Sequence, residues 1–316
     1  MKPNLSIRIG SLQLKNPLMT ASGTCGYGDD LSAYFDISSL GAIVTKSLTL
    51  KPKKGNEPQR ITEVACGMLN SIGLANIGVR KFIEDKVALL KSLNALVIAN
   101  IAAKRVDDYV SLAEILADVD LVSGLELNLS CPNVKEGGIE FGTDIKILAG
   151  IVGLVRKVFK RTILVKLTPN VTRIADFARA AESEGADAVT VANTYVGMAI
   201  DIRSRRPRIH TVTGGLSGPA IKPITLAKVF QVHNAVKIPI VASGGIFSWE
   251  DVVEYMIAGA AAVQIGTALF ARPDVPMMIL KALEEYLTAQ SISSANELVG
   301  SLIVKLSDVP HTDRNS

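Results

Sequence analysis

The sequence predicts a single (β/α)8 barrel of the TIM type, with an N-terminal β-hairpin and extended loops at its mouth. Eight short apolar runs, bounded by Gly, Pro or Asn, recur along the 316 residues. Each run is followed by a segment with helical spacing, a pattern typical of parallel strands that are buried on both faces. Because an open doubly wound sheet has about five or six strands, eight units favour the closed barrel.

The predicted strands and helices alternate from one end of the chain to the other. The strands cover residues 17–23, 41–47, 96–102, 124–130, 163–169, 188–193, 239–245 and 262–268. The helices cover residues 76–92, 106–117, 144–159, 173–184, 225–234, 249–258 and 275–289. Ser248 is placed to cap the helix that begins at Trp249, and Ser294 with Glu297 forms a capping-box pattern that opens a last helix.

The segments outside the eight units also have predicted places. Residues 7–14 are typical of a hairpin around Gly10 and Ser11, which we expect to cover the barrel floor. The connections over residues 48–75 and 194–224 are long, and such loops in a compact domain are usually functional or mobile. We therefore assign residues 1–306 to one barrel domain and residues 307–316 to a polar, frayed tail.

Composition excludes several classes of protein. A content of 48% hydrophobic and 20% charged residues fits a large buried core and does not fit a disordered chain. The net charge of +4 comes from basic residues spread along the chain, which favours no nucleic-acid partner. The sequence shows neither a signal-peptide pattern nor an uninterrupted apolar span, so we expect no membrane association.

Polar and small residues occupy the predicted carboxyl ends of the strands, where barrel enzymes carry their active sites. These residues are Ser22, Gly23, Lys46, Ser47, Asn100, Asn128, Ser130, Cys131, Lys166, Asn193, Thr194, Gly244, Gly245, Gly266 and Thr267. Glycines at the last two strand ends let backbone N–H groups approach a phosphate, and Gly218 offers another close approach. The ring predicts a site for a phosphorylated ligand such as FMN.

Two lysines at the ends of apolar strands need anionic partners, because an unpaired buried ammonium group is unfavourable. For Lys46 and Lys166 the alternatives are an internal ion pair and a bound flavin or anionic substrate. The nearest acid is Glu126, which lies within the fourth strand. Because other acids at strand ends are scarce, the ligand is the favoured partner.

The three cysteines are too few and too scattered for a disulfide framework or a four-thiolate metal site, which favours a reducing cytoplasm. We interpret Cys25 and Cys66 as small buried hydrophobic residues. Cys131 stands among polar groups at the mouth, where a thiolate can act as a base. His210 and His233 fall on a loop and a helix surface, so the sequence predicts no metal site and no cysteine–histidine pair.

The sequence resembles the class 1 dihydroorotate dehydrogenase family over residues 4–305. The motifs that carry the resemblance are ASGTCGYG (21–28), TKSLTLKPKKGNEPQR (45–60), MLNSIGLANIGV (68–79), NLSCPNVKEGG (128–138), VKLTPN (165–170), TGGLSGPAIKP (213–223), SGGI (243–246) and QIGTALF (264–270). Cysteine rather than serine in NLSCPN is typical of class 1. The KEGG stretch and TGGLSGPAIKP are similar to the B-type catalytic subunit.

The resemblance implies roles for the mouth residues. FMN would contact Ala21, Ser22, Lys46, Ser47, Asn100, Asn128, Lys166, Ala192, Gly218, Gly244, Gly245, Gly266 and Thr267. Dihydroorotate would be held by Lys46, Asn70, Ser71, Ile72, Gly73, Leu74, Asn128, Asn193 and Thr194. Cys131 would remove the proton from carbon 5 while a hydride leaves carbon 6 for FMN, which yields orotate for pyrimidine (UMP) biosynthesis.

The resemblance to the B-type also implies partners. In that type the catalytic subunit forms a homodimer within a heterotetramer, with a subunit that carries FAD and a [2Fe–2S] cluster and passes electrons to NAD. No GxGxxG motif follows a strand here and opens a helix, so NAD chemistry requires such a partner. Arg203, Arg205, Arg206 and Arg208 either contribute to that interface or belong to a solvated loop, which is favoured.

Three alternatives remain open at this point. A fumarate-linked A-type dihydroorotate dehydrogenase would use fumarate as its electron acceptor. A relative of the FMN domain of dihydropyrimidine dehydrogenase would act on uracil or thymine instead. A non-catalytic barrel would use its mouth for ligand binding or assembly and would be colourless when purified.

Overall fold

The computed structural model describes residues 2–129 and 141–304. Its central sheet has eight parallel strands: Leu18–Thr20, Ile43–Val44, Val97–Ile101, Val122–Asn128, Thr162–Lys166, Ala188–Val191, Ile240–Ser243 and Ala262–Ile265. The second to the eighth strand pair in chain order, and the eighth pairs with the first. A bridge between Met19 and Ala42 joins the first strand to the second. The barrel prediction is confirmed, and every strand overlaps its predicted range.

Apolar residues form these strands because both of their faces are covered, one by the barrel interior and the other by helices. The third strand, with sequence VIANI, is buried at every position. The fourth strand, VSGLELN, is similar but carries one carboxylate, Glu126, which has no exposed surface. A charged residue at such a position needs partners inside the barrel.

Helices lie between the strands, and the longer ones bury one face. They are α1 (Val79–Ser92), α2 (Val106–Ala117), α3 (Ile145–Val158), α4 (Ile174–Ser183), α5 (Lys222–His233), α6 (Trp249–Ile257), α7 (Ala268–Ala271) and α8 (Val275–Ala289). A capping box of Ser248 and Asp251 opens α6. The box of Ser294 and Glu297 is present too, but it opens a 3-10 helix, Ala295–Leu298, rather than a longer helix.

The N-terminal hairpin covers the barrel floor, as predicted. Strands Ile7–Ile9 and Leu12–Leu14 pair antiparallel and bury their alternate apolar side chains. At the turn, Ser11 lies against Thr162, with its hydroxyl 2.9 Å from the threonine hydroxyl. Because Thr162 begins the fifth strand, this contact places the hairpin at the end of the barrel opposite the mouth.

The two long connections form a second sheet at the mouth. Its four antiparallel strands are Ile61–Val64, Gly67–Asn70, Tyr195–Met198 and Thr213–Ser217. A separate pair, Ile200–Asp201 with Arg206–Pro207, extends from the same connection. The sequence did not predict these strands, because glycine-rich segments such as TGGLS have low strand propensity and gain order only by pairing with distant residues.

Several predictions concern residues outside the described ranges or are untested by the fold. Cys131 and the tail over residues 307–316 lie outside the described residues, and the domain boundary at residue 306 stays a prediction. Arg203, Arg205, Arg206 and Arg208 are all exposed, and their part in an interface also stays a prediction.

In residues 2–129 and 141–304 no helix has the length and apolar character needed to cross a bilayer.

Candidate active site

A cavity opens at the carboxyl ends of the barrel strands, beneath the mouth sheet. It encloses about 1320 Å³, including the part open to solvent. Predicted residues that line it are Ala21, Ser22, Lys46, Ser47, Asn70, Ile72, Gly73, Leu74, Asn128, Lys166, Ala192, Asn193, Thr194, Gly218, Gly244, Gly245, Gly266 and Thr267. The structure therefore brings nearly all of the predicted mouth residues together.

Two predicted residues lie behind the cavity wall instead. Asn100 is completely buried, and its side-chain oxygen Oδ1 accepts a hydrogen bond of 2.5 Å from the hydroxyl of Ser47. Ser71 is also completely buried, and its hydroxyl has no hydrogen-bond partner among the described residues. Asn100 therefore supports the site through Ser47, which does line it.

An internal carboxylate faces Lys166 across the barrel interior. The ammonium nitrogen of Lys166 lies 3.7 Å from Glu126 Oε1 and 3.2 Å from Gln264 Oε1. The sequence favoured a ligand over an internal ion pair as the partner of Lys166, but the structure contains the internal ion pair. Glu126 and Asn128 lie two residues apart and point into the same barrel interior. Asn128 pairs with Lys166 in the sheet register, which brings the carboxylate within reach.

Lys46 has a different environment. Burial, with a smaller effect from the nearby positive charge of Arg60, holds the pKa of Lys46 below its ordinary value. Among the described residues no carboxylate forms an ion pair with Lys46, so its expected anionic partner stays a prediction. A half-buried cation at a cavity wall attracts anions strongly, because the local dielectric screens it less than water does.

Amide side chains cluster on one wall of the cavity. Asn193 donates to the side-chain oxygen of Asn128 at 3.2 Å, and Asn128 donates to the hydroxyl of Ser47 at 3.2 Å. Asn70, on the mouth sheet, donates to the carbonyl of Gly215 at 3.2 Å. Each amide offers both a donor and an acceptor, so this wall suits a ring that carries amide N–H and carbonyl groups.

Consecutive glycines follow the seventh strand at another edge of the cavity. Gly245 has φ 70°, and a Cβ at this position would lie 2.7 Å from the Cβ of Lys222, so only glycine fits without strain. Within the described part of the chain, the N–H groups of Gly244 and Gly245 donate no backbone hydrogen bond. These N–H groups are therefore suited to bind an anionic oxygen such as that of a phosphate.

Side chains of α6 hold this glycine loop from behind. The hydroxyl of Tyr255 donates to the carbonyl of Gly244 at 2.6 Å. The carboxylate of Asp251 accepts from the backbone N–H groups of Phe247 and Ser248 at 2.7 and 2.9 Å. The loop is thus fixed at both of its ends by one helix.

Comparison with known proteins identifies the family. The profile described as "Dihydroorotate dehydrogenase" matches residues 4–287. The chain belongs to the dihydroorotate dehydrogenase family. A relative from Trichlorobacter lovleyi is 50% identical over 302 residues, which is 96% of this chain and 99% of the relative. Relatives from Geotalea daltonii and Bacteroides fragilis are 49% and 46% identical over 301 residues, 95% of this chain and 99% of each relative. All three are named dihydroorotate dehydrogenase B (NAD(+)), catalytic subunit.

The cysteines of this dihydroorotate dehydrogenase family member differ in environment. Cys25 is buried as predicted, and burial raises the pKa of its thiol to about 11. Cys66 is exposed, so its prediction as a buried residue was wrong: it lies in the turn between two strands of the mouth sheet, with φ 56°. Cys131 lies outside the described residues, and its catalytic role stays a prediction.

The two histidines of the described residues, His210 and His233, have different surroundings. His210 is exposed on the connection after the sixth strand, as predicted. His233 is not a plain surface residue, since its ring packs against Gly259 and Gly300. In residues 2–129 and 141–304 no group of three His, Cys, Asp or Glu side chains is arranged to hold a metal ion.

Several cavity residues were missed by reasoning from the sequence. The additional lining residues include Thr24, Ile61, Met68, Gly215, Gln264, Phe247 and Phe270. Ile61, Met68 and Gly215 reach the cavity only because the mouth sheet forms, and strand-end position does not reveal them. Gln264 carried a usable signal, because a polar side chain in the middle of an apolar strand is unusual.

Proposed function

We propose that this chain is the catalytic subunit of an NAD-linked dihydroorotate dehydrogenase, which oxidises (S)-dihydroorotate to orotate in pyrimidine biosynthesis. The observation that carries the proposal is the position of the family's motifs: within the family match over residues 4–287, they converge on one cavity. Relatives that match almost the whole chain bear the name of the B-type catalytic subunit. These names support the NAD-linked type over the fumarate-linked type.

The cavity fits FMN in three respects. Its wall brings together most of the residues predicted to contact FMN and most of those predicted to hold the substrate. The N–H groups of Gly244 and Gly245 suit the phosphate. Lys166 supplies positive charge to the cavity wall. The residues that would hold FMN are the predicted ones that line the cavity: Ala21, Ser22, Lys46, Ser47, Asn128, Lys166, Ala192, Gly218, Gly244, Gly245, Gly266 and Thr267. When bound, FMN supplies a hydride acceptor.

The amide wall and Lys46 would hold dihydroorotate. The ammonium group of Lys46 would bind the substrate carboxylate, and its partial burial strengthens that attraction. Asn70, Asn128 and Asn193 offer donors and acceptors to the ring amides and carbonyls. The segment of Ile72, Gly73 and Leu74, with Thr194, would close the remaining side of the ring.

Cys131 would act as the general base. In the sequence it follows Asn128, the last residue of the fourth strand, by three residues. Its sulfur would take the proton from carbon 5 while the hydride leaves carbon 6, and the double bond of orotate forms between these two carbons. A thiol with an ordinary pKa of about 8.5 can serve near neutral pH when its pKa is modestly lowered.

The electrons would leave through a partner subunit. Three cysteines in the whole sequence cannot supply four thiolates for an iron–sulfur cluster in this chain. The proposal therefore places FAD and a [2Fe–2S] cluster on a partner within a heterotetramer that contains a homodimer of this chain, in the cytoplasm. The exposed arginines at positions 203, 205, 206 and 208 are candidate contacts.

One purification tests this proposal against its alternatives. The chain is produced with and without its neighbouring native proteins and is assayed with dihydroorotate or dihydrouracil and with NAD or fumarate. We expect dihydroorotate oxidation, with NAD reduction only when the partner is present. Turnover with fumarate by the chain alone would establish the A-type, and flavin bleaching by dihydrouracil alone would establish a pyrimidine reductase.

A further inference from the structure

The mechanism proposed above gives no role to a buried carboxylate, that of Glu126. Glu126 lies on the fourth strand, has no exposed surface and does not line the cavity. A carboxylate buried inside an apolar barrel is unfavourable unless it is fully hydrogen-bonded and paired. The hydrogen-bond and ion-pair partners of Glu126 therefore indicate its role.

Every described contact of Glu126 is with a donor. One oxygen accepts a hydrogen bond of 2.7 Å from the amide of Asn100. The other accepts from the hydroxyl of Thr190 at 2.9 Å and from the amide of Gln264. The ammonium group of Lys166 adds a positive charge 3.7 Å from Oε1, so the carboxylate is both hydrogen-bonded and paired with a cation.

Lys166 stands between this carboxylate and the cavity. Its ammonium group lies 3.7 Å from Glu126, donates to Gln264 Oε1 at 3.2 Å and reaches the hydroxyl of Ser22 at 3.4 Å. Gln264 joins the two charges, since its oxygen faces the lysine while its nitrogen faces the carboxylate. Lys166 lines the cavity and Glu126 does not, so Glu126 can act on a ligand only through Lys166 or through its field.

We propose that Glu126 is a positioning residue that fixes Lys166 at the cavity wall and, by offsetting its positive charge, lowers the reduction potential of the bound flavin. The inference rests on the proposed FMN site. Reduction adds negative charge to a flavin, and a cation nearby favours that change. Because the site is buried, the opposing charge of Glu126 is weakly screened and acts strongly.

The test is the midpoint potential of FMN bound to the chain, measured for the wild type and for Glu126→Gln. The substitution keeps the side-chain size and removes the charge that balances Lys166. We expect the equilibrium constant for flavin reduction to rise about tenfold, which for a two-electron couple is a shift of about 30 mV to higher potential. A potential unchanged within twofold in that constant would overturn the proposal.

Thr190→Val is the matched control. It removes a hydrogen bond to Glu126 and perturbs the same packing, but it leaves both charges in place. We expect it to keep the wild-type potential. Equal shifts in Thr190→Val and Glu126→Gln would show a merely structural effect and would refute the electrostatic role.

A second comparison applies if Glu126→Gln does not fold. Lys166→Gln leaves the carboxylate buried and unpaired, whereas Lys166→Gln with Glu126→Gln removes both charges. We expect the double variant to have the higher melting temperature without flavin and, with FMN bound, the higher potential. Equal melting temperatures and equal potentials in Lys166→Gln and the double variant would contradict the proposal. It would also be contradicted if both variants with Glu126→Gln failed to fold while Thr190→Val folds.

A wild-type chain that binds no FMN would refute the proposed function instead. The flavin-free melting comparison would still test the coupling of the two charges.

Discussion

The hydroxyl of Tyr255 offers a direct test of the phosphate-binding role of the glycine loop. Tyr255 is completely buried on α6, and its hydroxyl donates to the carbonyl of Gly244 at 2.6 Å, with the carbonyl oxygen of Lys222 3.3 Å away. Burial raises the pKa of Tyr255 far above its ordinary value, so the hydroxyl stays a donor at any working pH. Tyr255→Phe keeps the ring and removes this donor.

The expected magnitude follows from the lost hydrogen bond to Gly244. A buried acceptor left without its partner costs about 1–3 kcal/mol. Without flavin the loop can relax and turn this carbonyl towards water, but FMN binding requires the original loop geometry. The free-energy cost therefore falls mainly on FMN binding. Since about 1.4 kcal/mol corresponds to a factor of ten in the dissociation constant, a cost of this size predicts FMN binding that is roughly tenfold weaker.

The assay is a titration of the flavin-free protein with FMN, followed by flavin fluorescence. Tyr286→Phe is the matched control, because Tyr286 packs on Trp249 with ring centroids 4.9 Å apart and its hydroxyl makes no hydrogen bond among the described residues. We expect the control to bind FMN as the wild type does. A dissociation constant for Tyr255→Phe within twofold of the wild type would refute the role of the hydroxyl in holding the loop.

Two further predictions follow from the protonation states of lysine and cysteine. Burial and the charge of Arg60 lower the pKa of Lys46. The lysine is therefore a cation below that pKa and loses its charge as the pH rises through it. Dihydroorotate binding, measured by perturbation of the flavin spectrum, should accordingly weaken at a pH below the ordinary lysine range. The same binding should be at least tenfold weaker and lose this pH dependence in Lys46→Met, whereas an unchanged pH profile in that variant would exclude Lys46 as the titrating group. Because the pKa of Cys25 is about 11, only about one molecule in a thousand carries its thiolate at pH 8, while Cys66 is exposed. Titration with a thiol reagent at pH 8 should lose one rapidly reacting group in Cys66→Ser and none in Cys25→Ser, and the reverse order would contradict the described environments.

The barrel was predictable because its signals are local. Each strand, such as Val97–Ile101, is a short apolar run with turn residues at its ends, and each helix has one apolar stripe. These patterns arise from burial on two faces or on one, and they do not depend on distant partners. Eight repetitions then leave few alternatives to a closed barrel.

The mouth sheet was not predictable in this way. Thr213–Ser217 pairs with Gly67–Asn70, some 145 residues earlier, as in the pair of Gly215 and Asn70. Neither segment has a strong strand pattern by itself. The exposure of Cys66, in the turn of this sheet, was missed for the same reason.

The position of the candidate site was predictable, but which of its residues reach the cavity surface was not. Strand-end residues such as Asn128 and Lys166 line the cavity as expected. The sequence does not distinguish a residue at the wall from one directly behind it, and so Asn100 was placed in contact with the ligand. The proximity of Glu126 to Lys166 was also not predictable, because it depends on the register between neighbouring strands.

Anaerobic mixing of the purified, FMN-containing chain with dihydroorotate tests the central claim most directly. We predict that the oxidised flavin absorbance bleaches and that one orotate forms for each flavin reduced. Cys131→Ala should retain its FMN but lose most of this reduction at neutral pH, and full-speed bleaching in that variant would remove Cys131 from the mechanism. A wild-type chain that contains no FMN, or whose flavin stays oxidised in the presence of dihydroorotate, would contradict the proposed function.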